Sequence, residues 1–202
     1  MEVQTTMPSD GDHLYDLPNA TKLKESGLKF RGVQGKHLKD ISFEKRKLGK
    51  WLPWFEVNEL QIPRIVIDHS TECLFRNLMA LEMFHYPTQT HVCNYAVLMD
   101  YLIDTSKDVE FLVEKEIIVN CMGENEAIAK MFNRLCSHFI VNDFHYDIAK
   151  KIKAYYKYPW NHAKAALKSV YFNNLWTGTA TVAAAFLLIL TVTQTVFSVM
   201  QL

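Results

Sequence analysis

Glycine is scarce in this chain, with 7 in 202 residues, which leaves little material for loops that wrap phosphates. No G-x-x-x-x-G-K, G-x-G-x-x-G or G-x-S-x-G occurs, so the phosphate cradle, the dinucleotide fingerprint and the nucleophile elbow are all missing. Cysteine is scarce as well. Cys73, Cys93, Cys121 and Cys136 are far apart, form no C-x-x-C pair and sit mostly in apolar stretches, so reduced, buried thiols are expected. The eight histidines add no metal frame, because H-E-x-x-H is absent. His91 with Cys93, and Cys136 with His138, have one residue between them, whereas ligands on one helix face stand three or four apart. No metal, cofactor or catalytic residue is expected on these grounds. Acidic and basic residues balance at 22 each, which removes the electrostatic footprint of a nucleic-acid binder. The first residues, MEVQTTMPSDGDHLYDL, carry no basic region followed by an apolar core, so no signal peptide is visible.

Charge is also missing after Lys168, where no Lys, Arg, Asp or Glu follows. A membrane-crossing helix needs roughly 20 mostly apolar residues. Thr179 to Val199, with Val182, Phe186, Leu190 and Val196 along it, meets that length, and its threonines can bond back to carbonyls one turn earlier. The expectation is a single-pass C-terminal anchor in contact with lipid. Its far end is uncharged, while Lys150, Lys151, Lys153, Lys157, Lys164 and Lys168 precede it as a juxtamembrane basic group, which puts the domain in the cytosol. Small residues at Ala180 and Ala184 suggest a homodimer through the span. Asn19-Ala20-Thr21 is a glycosylation sequon and the one opposing clue, since it is used only in the secretory lumen.

Between the ends, residues 1–19 read as a poorly packed arm and 20–170 as one α+β domain, with 171–202 as anchor and flanks. From Leu38 to Asp68 the apolar period is two, with Ile41 and Phe43, Phe55 and Val57, and Ile65 and Ile67 marking small strands. Pro53 and Pro63 confine these to edges or ends. Gly49 to Pro53 is a candidate hairpin tip, with Trp51 and Trp54 packed beside it. After Asp68 the period becomes helical. Ser70 is a candidate cap, with Cys73, Leu74, Leu78, Leu81 and Met83 as the apolar stripe of the first long helix. Further helices are expected over Asn94 to Ile103 and, from a capping box at Thr105 and Asp108, Ser106 to about Glu116. Glu124 to Phe139 and Phe144 to Tyr158 follow, then a short helix before the anchor. The helix over Phe144 to Tyr158 is amphipathic and basic, and suits either anionic headgroups or a solvated lysine face.

Asp100 and Asp104 stand at helical spacing and can share a proton, although no reactive group lies beside them in sequence. Their convergence with a histidine on one cleft would favour an enzyme of unknown reaction. Carboxylates splayed into water would remove that alternative.

The segments LFRNLMALEMFHYP, NYAVLMDYLIDTSKDVEFLVEKEIIVNCMGENEAIAKMFNRLC and AYYKYPWNHAKAALKSVYFNNLW resemble the C-terminal half of a plant-specific family called domain of unknown function 247. ATKLKESGLKF, LKDISFEK and LQIPRIVIDHSTE resemble that family's small strand region, so the likeness runs roughly from Ala20 to Met200. Members of the family generally carry a comparable N-terminal half. The resemblance therefore implies a truncated member, a partial sequence or a short paralogue without an independent role. It carries over no catalytic residue. Some grass members are implicated as male determinants of self-incompatibility, which implies recognition of an unknown protein partner at a membrane. The fold expected is mainly helical α+β, with a small antiparallel sheet, a helical bundle and the anchor.

Overall fold

A computed structural model describes residues 17–47, 56–136, 146–161, 163, 166 and 175–200. The expected tip with Trp51 and Trp54, His138, Lys164, Lys168, and most of both the arm over 1–19 and the short helix before the anchor lie outside them.

The first described element is α1 (Ala20–Glu25), which Asn19 caps by accepting the Lys22 N–H at 3.0 Å. A Schellman turn ends it. The Gly27 N–H donates to Lys24 and the Leu28 N–H to Leu23, with Gly27 at φ 90°, a left-handed conformation that glycine adopts without a steric penalty. Three strands follow, β1 (Lys29–Val33), β2 (Ser42–Lys47) and β3 (Glu56–Pro63), with β3 in the middle. β2 lies antiparallel to it, pairing Phe43 with Leu60, and β1 lies parallel, pairing Phe30 with Leu60. Leu60 and Ile62 are fully buried on β3, whose ladder stops at Pro63, the residue that cannot donate.

The expected small antiparallel sheet is thus corrected to a mixed one. A second, two-stranded parallel sheet joins β4 (Ile65–Ile67) to β5 (Ile118–Asn120). β1 and β5 escaped the period-two reading because β1 carries Lys29 and Arg31 beside a glycine and β5 has three residues.

Six more helices are described: α2 (Thr71–His85), α3 (His91–Leu102), α4 (Ser106–Glu114), α5 (Asn125–Leu135), α6 (Tyr146–Lys157) and α7 (Leu175–Met200). α3 is buried along most of its length, and its Tyr95 hydroxyl donates to the Pro63 carbonyl at 3.0 Å, tying helix to sheet. Phe75 of α2 meets Phe132 of α5 edge-on at 6.3 Å, and Phe30 of β1 meets Phe111 of α4 at 5.2 Å. The apolar side expected from Ile128, Met131, Phe132 and Leu135 is the buried face of α5. Ile152 is fully buried on α6, where Lys150, Lys151 and Lys157 are exposed.

Two expectations about α2 fail. Ser70 makes no side-chain cap. Instead the Asp68 carboxylate accepts from the Ser70 N–H, the Ser70 hydroxyl and the Thr71 hydroxyl, and these bonds hold its pKa below the usual carboxylate range. The buried residues of α2 are Thr71, Phe75 and Met79, while Cys73, Leu74, Leu81 and Met83 face outward. Of the four free cysteines, only Cys93 is buried, with Cys73 and Cys121 exposed and Cys136 half-buried.

The C-terminal anchor is also corrected. Among the described residues no helix is long and apolar enough to cross a membrane. Thr191, Thr193 and Thr195 do donate back to the carbonyls of Leu187, Ile189 and Thr191. Even so, the span from Thr179 through Val182, Phe186, Leu190 and Val196 to Val199 is not an anchor on this finding. Lipid contact through it, pairing of two spans and the membrane localisation go with it.

Two local devices hold the N-terminal elements to the bundle. The first is Asp108, fully buried in the first turn of α4. Its carboxylate accepts from the Thr21 N–H at 2.9 Å and hydroxyl at 2.6 Å on one oxygen, and from the Thr105 N–H at 2.9 Å and hydroxyl at 3.0 Å on the other. The expected capping box is therefore present and extended to α1. The second is the turn from α4 to β5, stitched to β1 by the Gly32 N–H donating to Lys115 at 2.9 Å. A Cβ on Gly32 would run into the Glu116 carbonyl, and Glu116 itself holds a left-handed φ of 58°.

Asp108→Ala would leave those donors unmatched, and a loss of about 2–4 kcal/mol is expected in chemical denaturation. A change below about 0.5 kcal/mol would show that the network is incidental. Gly32→Ala should cost about 2–3 kcal/mol in the same assay, because the clash is with backbone. A variant as stable as the parent would contradict the close approach.

Candidate functional site

One polar cleft of about 290 Å³ lies where α1, the end of α3 and α5 meet. Its size sits near the lower bound of the roughly 300–1,000 Å³ typical of ligand pockets. Leu17 and Ile103 supply its apolar part, Asp100, Asp104 and Lys22 its charges, and Asn19, Asn133 and Tyr101 its neutral polar groups.

Each wall has a local cause. The cap of α1 fixes Asn19, whose side-chain oxygen is already accepting from Lys22. Thr21, the third residue of the sequon, is tied to Asp108 through its N–H and hydroxyl. Both functional side chains of the sequon are thus engaged in the folded chain. Asp100 lies in the last turns of α3 and Asp104 just beyond its end, where the helix gives way before the α4 capping box. The Asp104 N–H donates to Asp108 at 3.2 Å, and the Asp104 carbonyl accepts from the Asn133 amide at 3.3 Å. The backbone of Asp104 is therefore held from two sides, by the buried carboxylate of Asp108 and by the Asn133 amide.

Asp100 and Asp108 show what donors do to a carboxylate. Burial would raise Asp108, but the hydrogen bonds from Thr21 and Thr105 outweigh it and hold the group below its ordinary range. Asp100 is half-buried with no such donors among the described residues, and burial pushes it up to about 6. Among the described residues, neither Asp100 nor Asp104 has an ion-pair partner.

The thiols nearby are poor nucleophiles. Burial, with the charge of Asp100 adding to it, pushes Cys136 up to about 12. Burial and Glu82 push Cys93 up to about 12 as well. Glu82 serves another end, accepting the Val92 and Cys93 N–H groups at 2.9 Å and so capping α3 from α2.

The acid pair noticed in the sequence does converge on one cleft, without a histidine among its lining residues. Asn19, Lys22, Tyr101 and Asn133 were not visible as members, because three separate elements deliver them. Among the described residues no group of three or more His, Cys, Asp or Glu is placed to hold a metal ion. Lys150, Lys151, Lys153 and Lys157, expected from the sequence to be a juxtamembrane group, lie on α6 and are not part of the cleft.

Over residues 2–190 the chain matches the DUF247 family, described as plant protein of unknown function. The UPF0481 protein At3g47200 of Arabidopsis thaliana is 26% identical over 187 residues, 91% of this chain and 37% of that protein. The putative UPF0481 protein At3g02645 of the same plant is 23% identical over 176 residues, 86% of this chain and 31% of that protein. The chain thus spans about a third of the length of these curated relatives. No solved structure matches. The chain belongs to the DUF247 plant family, whose function is unknown.

The raised pKa of Asp100 has a definite sign. Its folded value of about 6 exceeds the unfolded value near 3.8, so the native state binds the extra proton and stability falls as pH rises from about 4 to 6. Asp100→Asn should remove this slope. In urea unfolding the variant should gain on the parent across that window and hold a constant lead above it. Parallel curves for the two proteins would contradict the assignment.

Proposed function

We propose that this member of the family acts by recognising a partner protein, and that the cleft receives a basic side chain of that partner. The observation that carries the reading is the pair Asp100 and Asp104, two carboxylates in one half-open cleft with no ion-pair partner among the described residues. Two carboxylates against the single ammonium of Lys22 leave the cleft net negative. Arginine suits it better than lysine. A planar guanidinium can bridge two carboxylates, while its apolar stem lies against Leu17 and Ile103. Asn19 and Asn133 add side-chain amides at the rim.

The reading also carries a pH dependence. A bound cation favours the ionised form of Asp100, so affinity should rise as pH passes upward through about 6.

The test is calorimetry with a short peptide carrying one central arginine, compared with the same peptide carrying citrulline. The arginine peptide should bind, and Asp100→Asn and Asp104→Asn should each weaken it about tenfold, or about 1.4 kcal/mol. Equal binding of the two peptides, or affinity unchanged in the double variant, would sink the proposal.

A further inference from the structure

The chain holds five arginines, Arg31, Arg46, Arg64, Arg76 and Arg134, and four of them are spent inside the fold. Arg31 and Arg46 stand 4.0 and 3.2 Å from Glu59, while Arg76 and Arg134 share Glu72 at 2.9 and 2.6 Å. Arg64 is exposed and, among the described residues, pairs with no acid. The backbone that carries it is fixed from three directions. The Pro63 carbonyl accepts from the Tyr95 hydroxyl of α3 at 3.0 Å, the Arg64 N–H donates to Val33 of β1 at 3.0 Å, and the Ile65 N–H donates to Ile117 at 2.9 Å. Pro63 before it and Ile67 beyond it are buried. A side chain on such a mount brings little backbone freedom to lose, which lowers the cost of association. Val66, two residues further on, is 57% exposed, so an apolar side chain accompanies the guanidinium into water.

The cleft is the complementary surface. Asp100 and Asp104 outnumber the ammonium of Lys22 there, and Leu17 and Ile103 lie beside them for an aliphatic stem. Within one copy the two features are not joined, because Arg64 is not among the residues that line the cleft. We propose that the partner received by the cleft is a second copy of this chain, whose Arg64 enters between Asp100 and Asp104. The inference rests on the reading of the cleft as an arginine site and names its occupant. Opposite charge selects the pairing: a net-negative cleft meets the chain's one described arginine that no carboxylate has already neutralised. One guanidinium with a narrow apolar rim makes a weak, exchanging contact of the transient kind. The two patches are different, so a copy that lacks one still carries the other.

Sedimentation equilibrium of the whole chain, from about 10 μM to about 1 mM, reads the association. The average mass of the parent should climb above that of a monomer as concentration rises. Arg64→Gln, and separately a chain carrying both Asp100→Asn and Asp104→Asn, should stay monomeric. An equal mixture of these two variants should rise toward twice the monomer mass, because one intact contact remains between them. Arg64→Lys keeps the charge without the planar fork and should weaken association about tenfold. Excess arginine peptide should disperse the parent assembly, and the citrulline peptide should not. A parent that stays monomeric throughout while binding the arginine peptide would end this inference and leave the arginine reading of the cleft standing. A peptide that does not bind would end both. Association that persists in Arg64→Gln would overturn the inference in favour of another contact surface. Variants that keep the parent's circular dichroism yet do not associate when mixed would overturn it as well.

Discussion

The buried carboxylate of Asp108 is the constraint on which the N-terminal half of the fold depends. Taking a charge out of water is costly, and this one is tolerated because Thr21 and Thr105 each give it an N–H and a hydroxyl, with the Asp104 N–H behind them. Those donors come from opposite ends of the chain segment: α1 on one side, the α3 to α4 corner on the other. One side chain therefore starts a helix, orders the corner before it and holds α1 across the bundle. Hydrogen bonds between residues 87 positions apart in sequence carry long-range information that no local pattern displays.

The cleft is a consequence of that clamp. With α1 pinned to α4, Asn19 and Lys22 stand opposite Asp100 and Asp104, and Asn133 of α5 closes the gap through the Asp104 carbonyl. Two aspartates four residues apart thus acquire opposite characters. Asp104 keeps its side chain at the open edge while lending its backbone to the structure. Asp100 is drawn into a place where burial raises its pKa and, among the described residues, nothing donates to it. Two threonines supply four side-chain and backbone donors to Asp108, and among the described residues no donor to the Asp100 carboxylate is present. On the far side, Gly32 lets β1 meet the α4 to β5 turn, so both sheets and α4 are locked to the same frame.

Much of this was legible in the sequence, and the failures share a cause. Helices α3 to α6 were recovered because their apolar spacing, the Thr105 and Asp108 box and Pro159 are local signals. Pro63 correctly marked a strand end. Strand direction was missed because parallel pairing of β1 with β3 depends on where the chain returns, and period two is blind to that. The α2 stripe was misassigned because leucines at helical spacing announce a buried face without naming what buries it. Phe75 and Met79, two residues on a neighbouring line, won the core instead. The C-terminal span was read from length and absence of charge, and no described helix meets the requirement. Asp100 and Asp104 were found by spacing, whereas their amide and lysine neighbours come from α1 and α5 and could be joined to them only in three dimensions.

The central claim is that the clamp at Asp108 holds open a cleft whose two carboxylates await a cation. A crystal structure of the chain with an arginine-bearing peptide tests it most directly. The account predicts the guanidinium between Asp100 and Asp104, its stem against Leu17 and Ile103, and the Asp108 bonds unchanged. An empty cleft with the peptide held elsewhere on the surface would contradict it.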